Sequence, residues 1–307
     1  MNKNIERIVK AVKDPFWLVG VYLRKASPLI KDDKLFVKIE YFLAMKKVLH
    51  LDNPVTFNEK IQWLKIYDTN AVHAKLVDKG EVKAIVGAMI GEEYIIPTLG
   101  IWSTFDEIDF DRLPNQFVLK CTHDSGGIFI CKDKSRLDMV AARKTIMKNY
   151  NKKYFYEHRE NPYKHVVPRI IAEPYLEDES GWQLKDYKIF CFNGKPKFVE
   201  VDYDRYKNHK LNVYDLDWNF IDFYMTSPND PDVKIEKPER LVLMLRLAEV
   251  LAKDETFVRV DFYSVKGKVY FGELTYHPGA GMVEFHPKEY DKILGEMLKL
   301  PYEDTSC

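Results

Sequence analysis

The chain has 307 residues, of which 46% are hydrophobic and 31% charged, which is the balance of a soluble globular protein with a sizeable core. Lys and Arg number 47 and so do Asp and Glu, so the formal net charge is +0. This balance argues against a nucleic-acid binder but leaves room for a local basic cleft that holds phosphates. The cysteines form no CxxC pair and no zinc-finger spacing, so we expect reduced thiols in a cytoplasmic protein; they are Cys121, Cys131, Cys191 and Cys307.

The first 35 residues mix Lys and Arg with Trp17, Leu18 and Tyr22. No secretory leader of adequate length is present, and the apolar run "FWLVGVYL" is too short to span a bilayer. Two interpretations remain open. The segment either lies on a membrane surface, at the inner face of the cytoplasmic membrane, or packs on the main body of the protein, and the second is favoured.

Residues 1–92 are predicted to be a helical region. "KLFVKIEYFLAMKKVLHL" has apolar residues at helical spacing. Thr56 stands three residues before Glu59, which is a capping-box pattern at the start of another helix. "AVHAKLVDKGEVKAIVGAMIG" is predicted to be one further helix that ends at Gly91.

The character of the chain changes near residue 93. "YIIPTLGIWS", "QFVLKCTH", "GGIFICKD" and "PRIIAEPYL" are β-branched and aromatic runs punctuated by Pro and Gly, and "LDMVAARKTIMKNYNKKYFYE" is helical. Beyond it, "FNGKPKF" and "VKGKVYF" carry Gly-centred turns between strands, and two helices follow, "PERLVLMLRLAEVLAK" and "PKEYDKILGEMLKL". Strands mixed with helices and hairpins predict an α+β fold, with subdomains at 93–175 and 176–307.

A first candidate site is the loop in "FVLKCTHDSGGIFICKD". The glycines Gly126 and Gly127 would let backbone N–H groups approach an anion, and Ser125 adds a hydroxyl donor. Lys120, at the end of the preceding strand, could reach a phosphate as a point charge. The alternative is an ordinary hairpin turn.

Two further strands carry polar residues. One leads to Glu173 and stops pairing at Pro174, so free backbone groups near Tyr175 and Leu176 could meet a planar base. A plain surface strand end is the local alternative. On the next strand Asp186 and Lys188 are two residues apart and share a face, which an exposed charged strand would also show.

The last candidate is the hairpin in "VRVDFYSVKGKVYFGELTYHPGAG". Arg259 and Asp261 share one strand face, and Glu273 lies on the partner strand, where cross-strand neighbours stand roughly 5 Å apart. Two carboxylates so close require a proton or a cation. Oxygen ligands suit Mg²⁺, and Thr275 could add a hydroxyl; a hairpin salt-bridged by Arg259 or by the lysines of the turn is the alternative.

The ordered set of these motifs resembles the ATP-grasp superfamily. Together "TFNEKIQWLKIYD", "VDKGEVK", "FVLKCTHDSGG", "IIAEPYL", "DYKIFCFNG", "VRVDFY" and "FGELTYHPGAG" look like its TupA-like, polysaccharide-associated branch, over roughly residues 40 to 300. The resemblance implies two α+β subdomains that clasp ATP, together with Mg²⁺, behind a helical N-terminal region.

The resemblance also implies roles for single residues. Lys83 and Lys120 would contact the phosphates, and a mobile loop of His123, Asp124, Ser125, Gly126 and Gly127 would close over them. Glu173 to Leu176, including Tyr175, would face adenine, Asp186 would hold the ribose hydroxyls and Lys188 would lie near the phosphates. Asp261 and Glu273 would be the metal-bridging acids, while Thr275 stands where many members carry Asn. Arg259 would neutralise the transferred phosphoryl group or the acyl oxyanion, and Gly279 and Gly281 would border the acceptor site.

The implied activity is that of a carboxylate–amine ligase acting through an acyl phosphate, which would join an amino acid or amine to a uronic acid or other sugar carboxylate in surface polysaccharide or capsule biosynthesis. The alternatives are a sugar phosphotransferase at the same nucleotide site, and a non-catalytic nucleotide-binding component of a polysaccharide assembly complex. A glycosyltransferase is weaker, because the Asp-x-Asp pairs Asp202–Asp204 and Asp215–Asp217 are better explained as strand or turn acids.

Overall fold

The computed structural model describes residues 14–178, 184–203 and 209–302. The α-helices in these ranges are Pro15–Ala26 (α1), Asp33–Met45 (α2), Phe57–Tyr67 (α3), His73–Val77 (α4), Glu81–Ile90 (α5), Met139–Tyr150 (α6), Phe155–His158 (α7), Leu241–Ala252 (α8) and Tyr290–Met297 (α9). The strands are Gly100–Trp102 (β1), Phe117–Cys121 (β2), Ile128–Cys131 (β3), Ile170–Pro174 (β4), Asp186–Phe192 (β5), Lys195–Tyr203 (β6), Lys210–Tyr214 (β7), Phe220–Ile221 (β8), Phe257–Val265 (β9) and Lys268–Thr275 (β10).

The larger sheet has six antiparallel strands in the order β10-β9-β5-β6-β7-β8. Two of its hairpins close through two-residue turns, Asn193–Gly194 and Lys266–Gly267, in which every φ is positive. Positive φ at both central residues is the turn geometry whose twist matches that of paired strands. The predicted Gly-centred hairpins are therefore confirmed.

The two faces of this sheet differ. One face is apolar along its length, and residues such as Ile189, Val260 and Phe262 pack there against α8 and α5. The opposite face is apolar only at one end, where Phe190 and Phe198 pack with Phe57 of α3 and with α9. At its other end the same face carries polar side chains, and the candidate site lies there.

The smaller sheet has four antiparallel strands in the order β1-β4-β2-β3. Phe117, Leu119 and Cys121 turn one face towards α6 and form a separate core with Ile146. Lys120 and Glu173 belong to the opposite face. All four strands come from residues 100–174, and the predicted α+β class is confirmed; the exact domain boundaries stay a prediction.

The helical region follows the sequence with one correction. The predicted capping box is present, because the Thr56 hydroxyl accepts from the Glu59 N–H at 3.3 Å and the Glu59 carboxylate accepts from the Thr56 N–H at 3.0 Å. The single helix predicted up to Gly91 was wrong. It divides into α4 and α5 at Asp78, which has an extended backbone conformation. The Asp78 side chain accepts hydrogen bonds from the N–H groups of Gly80 and Glu81 at the start of α5.

His73, the first residue of α4, ties this helix to the larger sheet. Its ring stacks on Tyr276 with centroids 4.1 Å apart, and Nε2 lies 3.0 Å from Glu255. Burial alone would lower the pKa of His73, but Glu255 and Asp68 hold it above its ordinary value. The protonated form is therefore favoured by folding.

Some predictions fall outside the described residues, namely those on residues 1–13, Asp204 and Cys307. Cys121, Cys131 and Cys191 are buried free thiols. Within the described parts of the chain, the helices are all too short or too polar to cross a membrane.

Candidate active site

The polar end of the larger sheet gathers the charged residues of four strands at neighbouring register positions. Lys188 of β5 stands opposite Asp261 of β9, and Asp261 stands opposite Glu273 of β10. On the other side Lys188 faces Glu200 of β6. Asp186, Lys188, Asp261 and Glu273 therefore share one face. Alternation along single strands predicted this for Asp186 with Lys188, whereas the face of Glu273 depends on the hairpin register.

Arg259 holds the two acids of the β9–β10 hairpin, which we call the paired-acid hairpin. Its guanidinium donates to both oxygens of Asp261, at 2.7 and 2.6 Å, and to Glu273 at 3.3 Å. The Thr275 hydroxyl donates to the same Glu273 oxygen at 3.3 Å. The salt bridge weighed as the alternative thus exists, made by Arg259.

A β-bulge at Gly272 makes the acids neighbours. The two-residue turn pairs Phe271 with Phe262, so an unbroken ladder would set Gly272 opposite Asp261 and turn Glu273 to the apolar face. The register shifts between Phe271 and Glu273, and the extra residue brings Glu273 back to the polar face. A Cβ on Gly272 would lie 3.0 Å from the Asp261 carbonyl oxygen, so glycine suits this crowded position. The sequence did not predict the bulge.

The electrostatics of the two acids differ. Burial raises the pKa of Asp261 to about 7, against the lowering effect of Arg259, and the neighbouring Glu273 charge adds to the rise. Burial alone would also raise the pKa of Glu273, but nearby cations hold it below its usual value. Those cations, with the largest effect first, are Lys79, Arg259, Lys188 and Lys120.

Lys79 is the functional candidate that sequence reasoning missed. It lies in the quoted "VDKGEVK" at the break between α4 and α5, where its N–H donates to the Thr122 carbonyl at 3.0 Å. Its ammonium donates to the Asp124 carbonyl in the predicted anion loop. The sequence did contain a signal for the break at Lys79. Asp78 stands two residues before Gly80, and this is a capping pattern that interrupts a helix.

Lys83 and Lys120 are brought together by Glu173. Their ammonium groups lie 2.6 and 2.5 Å from the two oxygens of this carboxylate. Burial alone would raise the pKa of Glu173, but Lys120 and Lys83 hold it below its usual value. Two of the predicted phosphate ligands are therefore neighbours, and we call Lys79, Lys83 and Lys120 the lysine cluster.

The lysine cluster faces the larger sheet. A narrow cavity is lined by all three lysines and Glu173 on one side and by Phe271 and Gly272 of β10 on the other. Ile95 forms a β-bridge with Phe271 beside it. The bulge that positions Glu273 thus also forms a wall of the space between the two sheets.

The predicted anion loop is partly anchored. His123 is buried, with Nε2 at 3.2 Å from the Lys152 carbonyl oxygen, and Asp124 is buried as well. Ser125 and Gly126 are exposed, and the Ser125 hydroxyl lies 2.8 Å from the hydroxyl of Tyr154.

Gly127 and Gly126 differ in their surroundings. A Cβ on Gly127 would lie 2.7 Å from the Cys121 sulfur and 2.9 Å from Asn149, whereas a Cβ on Gly126 would meet nothing within 4 Å. Of these two positions, only 127 requires a glycine, because neighbouring atoms leave no room for a Cβ there.

The remaining predicted residues lie around this centre. Tyr175 and Leu176 follow the end of β4 and are half-buried, and the Lys132 ammonium stands 5.0 Å from the Tyr175 ring centre. Lys188 is buried, donates to Glu200 at 3.2 Å and pairs with Asp202. Burial opposes its charge, but Glu200 and Asp202 hold the pKa of Lys188 above its usual value.

Two tyrosines that sequence reasoning did not single out also border the centre. Burial raises the pKa of Tyr163 well above its usual value, and the charges of Glu160 and Glu273 add to the rise. Its ring lies 4.5 Å from that of Tyr154, which carries the hydroxyl bonded to Ser125. The segment around α7 therefore lies between the anion loop and the paired-acid hairpin.

The paired acids fit a magnesium ion. Across residues 14–178, 184–203 and 209–302 no group of three His, Cys, Asp or Glu side chains could hold a metal on its own. Mg²⁺ habitually takes one or two carboxylates and completes its shell with phosphate oxygens and water, which is what Asp261 and Glu273 could supply. A carboxylate keeps lone pairs beyond those used by Arg259, so Asp261 could still bind a metal ion.

The lysine cluster, with Lys120 on the smaller sheet, lines a cavity whose other wall is the β10 strand that carries Glu273 of the paired acids, and this arrangement is consistent with an ATP-grasp protein. Within that class, a model of the TupA-like ATP-grasp family matches residues 59–299, and the chain belongs to this family. No match is found among curated proteins.

Several solved structures are similar to the chain. D-alanine–D-alanine ligase from Bacillus anthracis complexed with ATP has 14% identity and a TM-score of 0.43, with 80% of this chain and 72% of that chain covered. The corresponding ligase from Helicobacter pylori has 15% identity and a TM-score of 0.40, with 79% and 69% covered. An L-amino acid ligase from Bacillus licheniformis has 14% identity and a TM-score of 0.49, with 89% and 63% covered.

Proposed function

We propose that the chain is an ATP- and Mg²⁺-dependent carboxylate–amine ligase that acts through an acyl phosphate. Its substrates are an amino acid or amine and a uronic acid or related sugar carboxylate of a surface polysaccharide. The observation that carries the proposal is the placement of the lysine cluster against the paired-acid hairpin, close enough for Lys79 and Lys120 to lower the pKa of Glu273. Membership of the TupA-like ATP-grasp family supports the nucleotide and the reaction class.

The reaction needs charge and position more than a protein nucleophile. A substrate carboxylate oxygen attacks the γ-phosphorus of ATP and ADP leaves; an amine then attacks the acyl carbon and inorganic phosphate leaves with that oxygen. Lysine ammonium groups hold the phosphates as point charges. Asp261 and Glu273 would hold Mg²⁺, which would supply positive charge beside the phosphate oxygens.

Arg259 is placed to act on the reacting group. It is buried, with 13% of its side chain exposed, and Asp261 and Glu273 fix its guanidinium from two sides. A preorganised cation of this kind stabilises charge that develops in the transition state without further reorganisation. The loop from Ser125 to Gly127, with Tyr154 beside it, is placed to exclude water from the acyl phosphate.

An ADP-release screen tests this function. Amino acids are crossed with uronic acids and with their nucleotide and lipid conjugates, and products are read by mass spectrometry. The ligase predicts ADP, inorganic phosphate and a product equal to both substrates less one water. ADP with a stable phosphorylated sugar would instead establish a phosphotransferase, and ATP binding without turnover on any pair would establish a non-catalytic component.

A further inference from the structure

The outer side of the first two described helices is apolar and exposed. Phe16, Val19 and Tyr22 follow one another at three-residue spacing along α1, and Leu35, Ile39 and Phe42 follow at helical spacing along α2. All six are exposed, with Tyr22 at 61% and Val19 at 53%. We call these six residues the N-terminal apolar surface.

The two rows form one surface. The rings of Phe16 and Phe42 meet edge to face with centroids 6.0 Å apart, which joins the outer row of α1 to that of α2. The opposite side of α2 is already used, because Phe36, Val37 and Tyr41 pack there in a core against which Leu23 of α1 also packs. The exposed rows are thus a second apolar face, of the kind that marks an interaction site.

Lysines surround this surface. The Lys46 ammonium stands 4.0 Å from the ring centre of Phe16, and that of Lys25 stands 5.6 Å from that of Tyr22. Lys34 and Lys38 flank the row on α2 and are exposed. The Lys46 ammonium also pairs with Asp14 at 3.3 Å, whereas Lys25 and Lys38 are exposed. Long basic side chains beside apolar rings are suited to the boundary between lipid and water.

Basic residues are concentrated in the part of the sequence that contains these two helices. Residues 1–48 carry 11 Lys and Arg against 5 Asp and Glu, and the rest of the chain carries 36 against 42. Within that range, the described residues 14–48 include both exposed apolar helices and carry 7 Lys and Arg against 4 Asp and Glu, so this part of a protein with zero net charge is basic. An anionic surface complements both features, whereas a second copy of the same basic surface would be repelled.

We propose that the N-terminal apolar surface binds an anionic lipid bilayer, with α1 and α2 lying in the headgroup region and the basic residues facing acidic headgroups. Apolar rows beside a basic flank are the composition of interfacial helices, whose binding adds buried apolar area to attraction for anionic lipids. The proposal is independent of the reaction. The paired-acid hairpin and the lysine cluster lie on other elements, so none of their residues belongs to the N-terminal apolar surface.

Vesicle sedimentation of the full chain tests the proposal, with phosphatidylcholine vesicles compared with vesicles that also contain phosphatidylglycerol. We expect binding to the anionic vesicles that weakens as salt is raised, and much weaker binding to the neutral ones. Val19→Asp should weaken binding about tenfold or more, because it removes an apolar contact and adds a repelled charge. Its matched control is Val242→Asp, at an exposed valine of α8 with 59% exposure, which should bind as the parent does.

A second pair of variants isolates the charge. Lys38→Gln should weaken binding roughly fivefold, whereas Lys148→Gln, at an exposed position on α6, should leave it unchanged. Circular dichroism checks that each variant is folded. Equal binding to both vesicle types, or equal binding of Val19→Asp and the parent, overturns the proposal.

Two other occupants of the surface give distinct results, and each overturns the proposal. If residues 1–13 cover the surface, the full chain does not bind and a variant lacking residues 2–13 does. If a second copy covers it, analytical ultracentrifugation without lipid shows a dimer that Val19→Asp dissociates.

Discussion

Replacing Arg259 by Lys separates catalysis from folding at the paired-acid hairpin. Truncation to Ala would leave the Asp261 carboxylate buried without its partner, which costs about 3–5 kcal/mol and would confuse lost activity with lost folding. Lys keeps the positive charge in the same position. It cannot reproduce the planar fork that donates to both oxygens of Asp261 at 2.7 and 2.6 Å.

The expected losses of stability and turnover in Arg259→Lys follow from the hydrogen bonds that a lysine ammonium can replace. Arg259 makes three hydrogen bonds to two carboxylates, and a lysine ammonium at this position can keep one bond to each carboxylate, so that one bond is lost. We expect a loss of unfolding free energy of about 1.5–3 kcal/mol, the value of a hydrogen bond to a charged group. Turnover should fall much further, by about 10²–10³, because the preorganised donor at the reacting group is lost.

The assay combines urea unfolding with ADP release on the substrates found by the screen. Arg143→Lys is the matched control, since Arg143 makes a similar fork with Asp106 on the surface, and we expect unchanged stability and turnover there. If Arg259→Lys remained folded and turned over at nearly the parent rate, Arg259 would not stabilise the transition state and the assignment would be refuted.

Three other predictions concern the lysine cluster, the anion loop and pH. Lys79→Gln should weaken binding of ATP roughly tenfold in calorimetry, because it removes one of the three ammonium groups that line the cavity, while exposed Lys75→Gln should change nothing. Gly127→Ala should lose about 1–3 kcal/mol of stability and bind the nucleotide more weakly, because its Cβ would collide with Cys121 and Asn149, whereas Gly126→Ala should behave as the parent in both assays. His73 has a raised pKa, so its stabilising effect is complete below about pH 6.5 and is lost as pH rises through the folded value. Urea unfolding across this range should show the loss in the parent and not in His73→Phe.

The sequence predicted the strands of the site because their periodicity is local. Alternation of side chains along each strand places Asp186 with Lys188 and Arg259 with Asp261, and the structure agrees. It could not predict which face Glu273 takes, because a one-residue bulge at Gly272 reverses the pattern and the choice depends on packing across the hairpin.

The lysine cluster shows the other limit of local reasoning. Lys83 and Lys120 were predicted as phosphate ligands, but their meeting at Glu173 depends on contacts between α5, β2 and β4. Lys79 was not predicted as a site residue because the sequence there has the pattern of one continuous helix. Its position at the break follows from a capping interaction of Asp78 that competes with the helix.

The most direct test of the central claim follows one oxygen atom. The sugar carboxylate is labelled with ¹⁸O, and inorganic phosphate from a complete reaction is analysed by mass spectrometry. An acyl phosphate requires that the attacking carboxylate oxygen leaves with the phosphate, so the account predicts phosphate carrying one labelled oxygen and an amide retaining the other. Unlabelled phosphate, or a phosphoryl group that stays on the sugar, would contradict it.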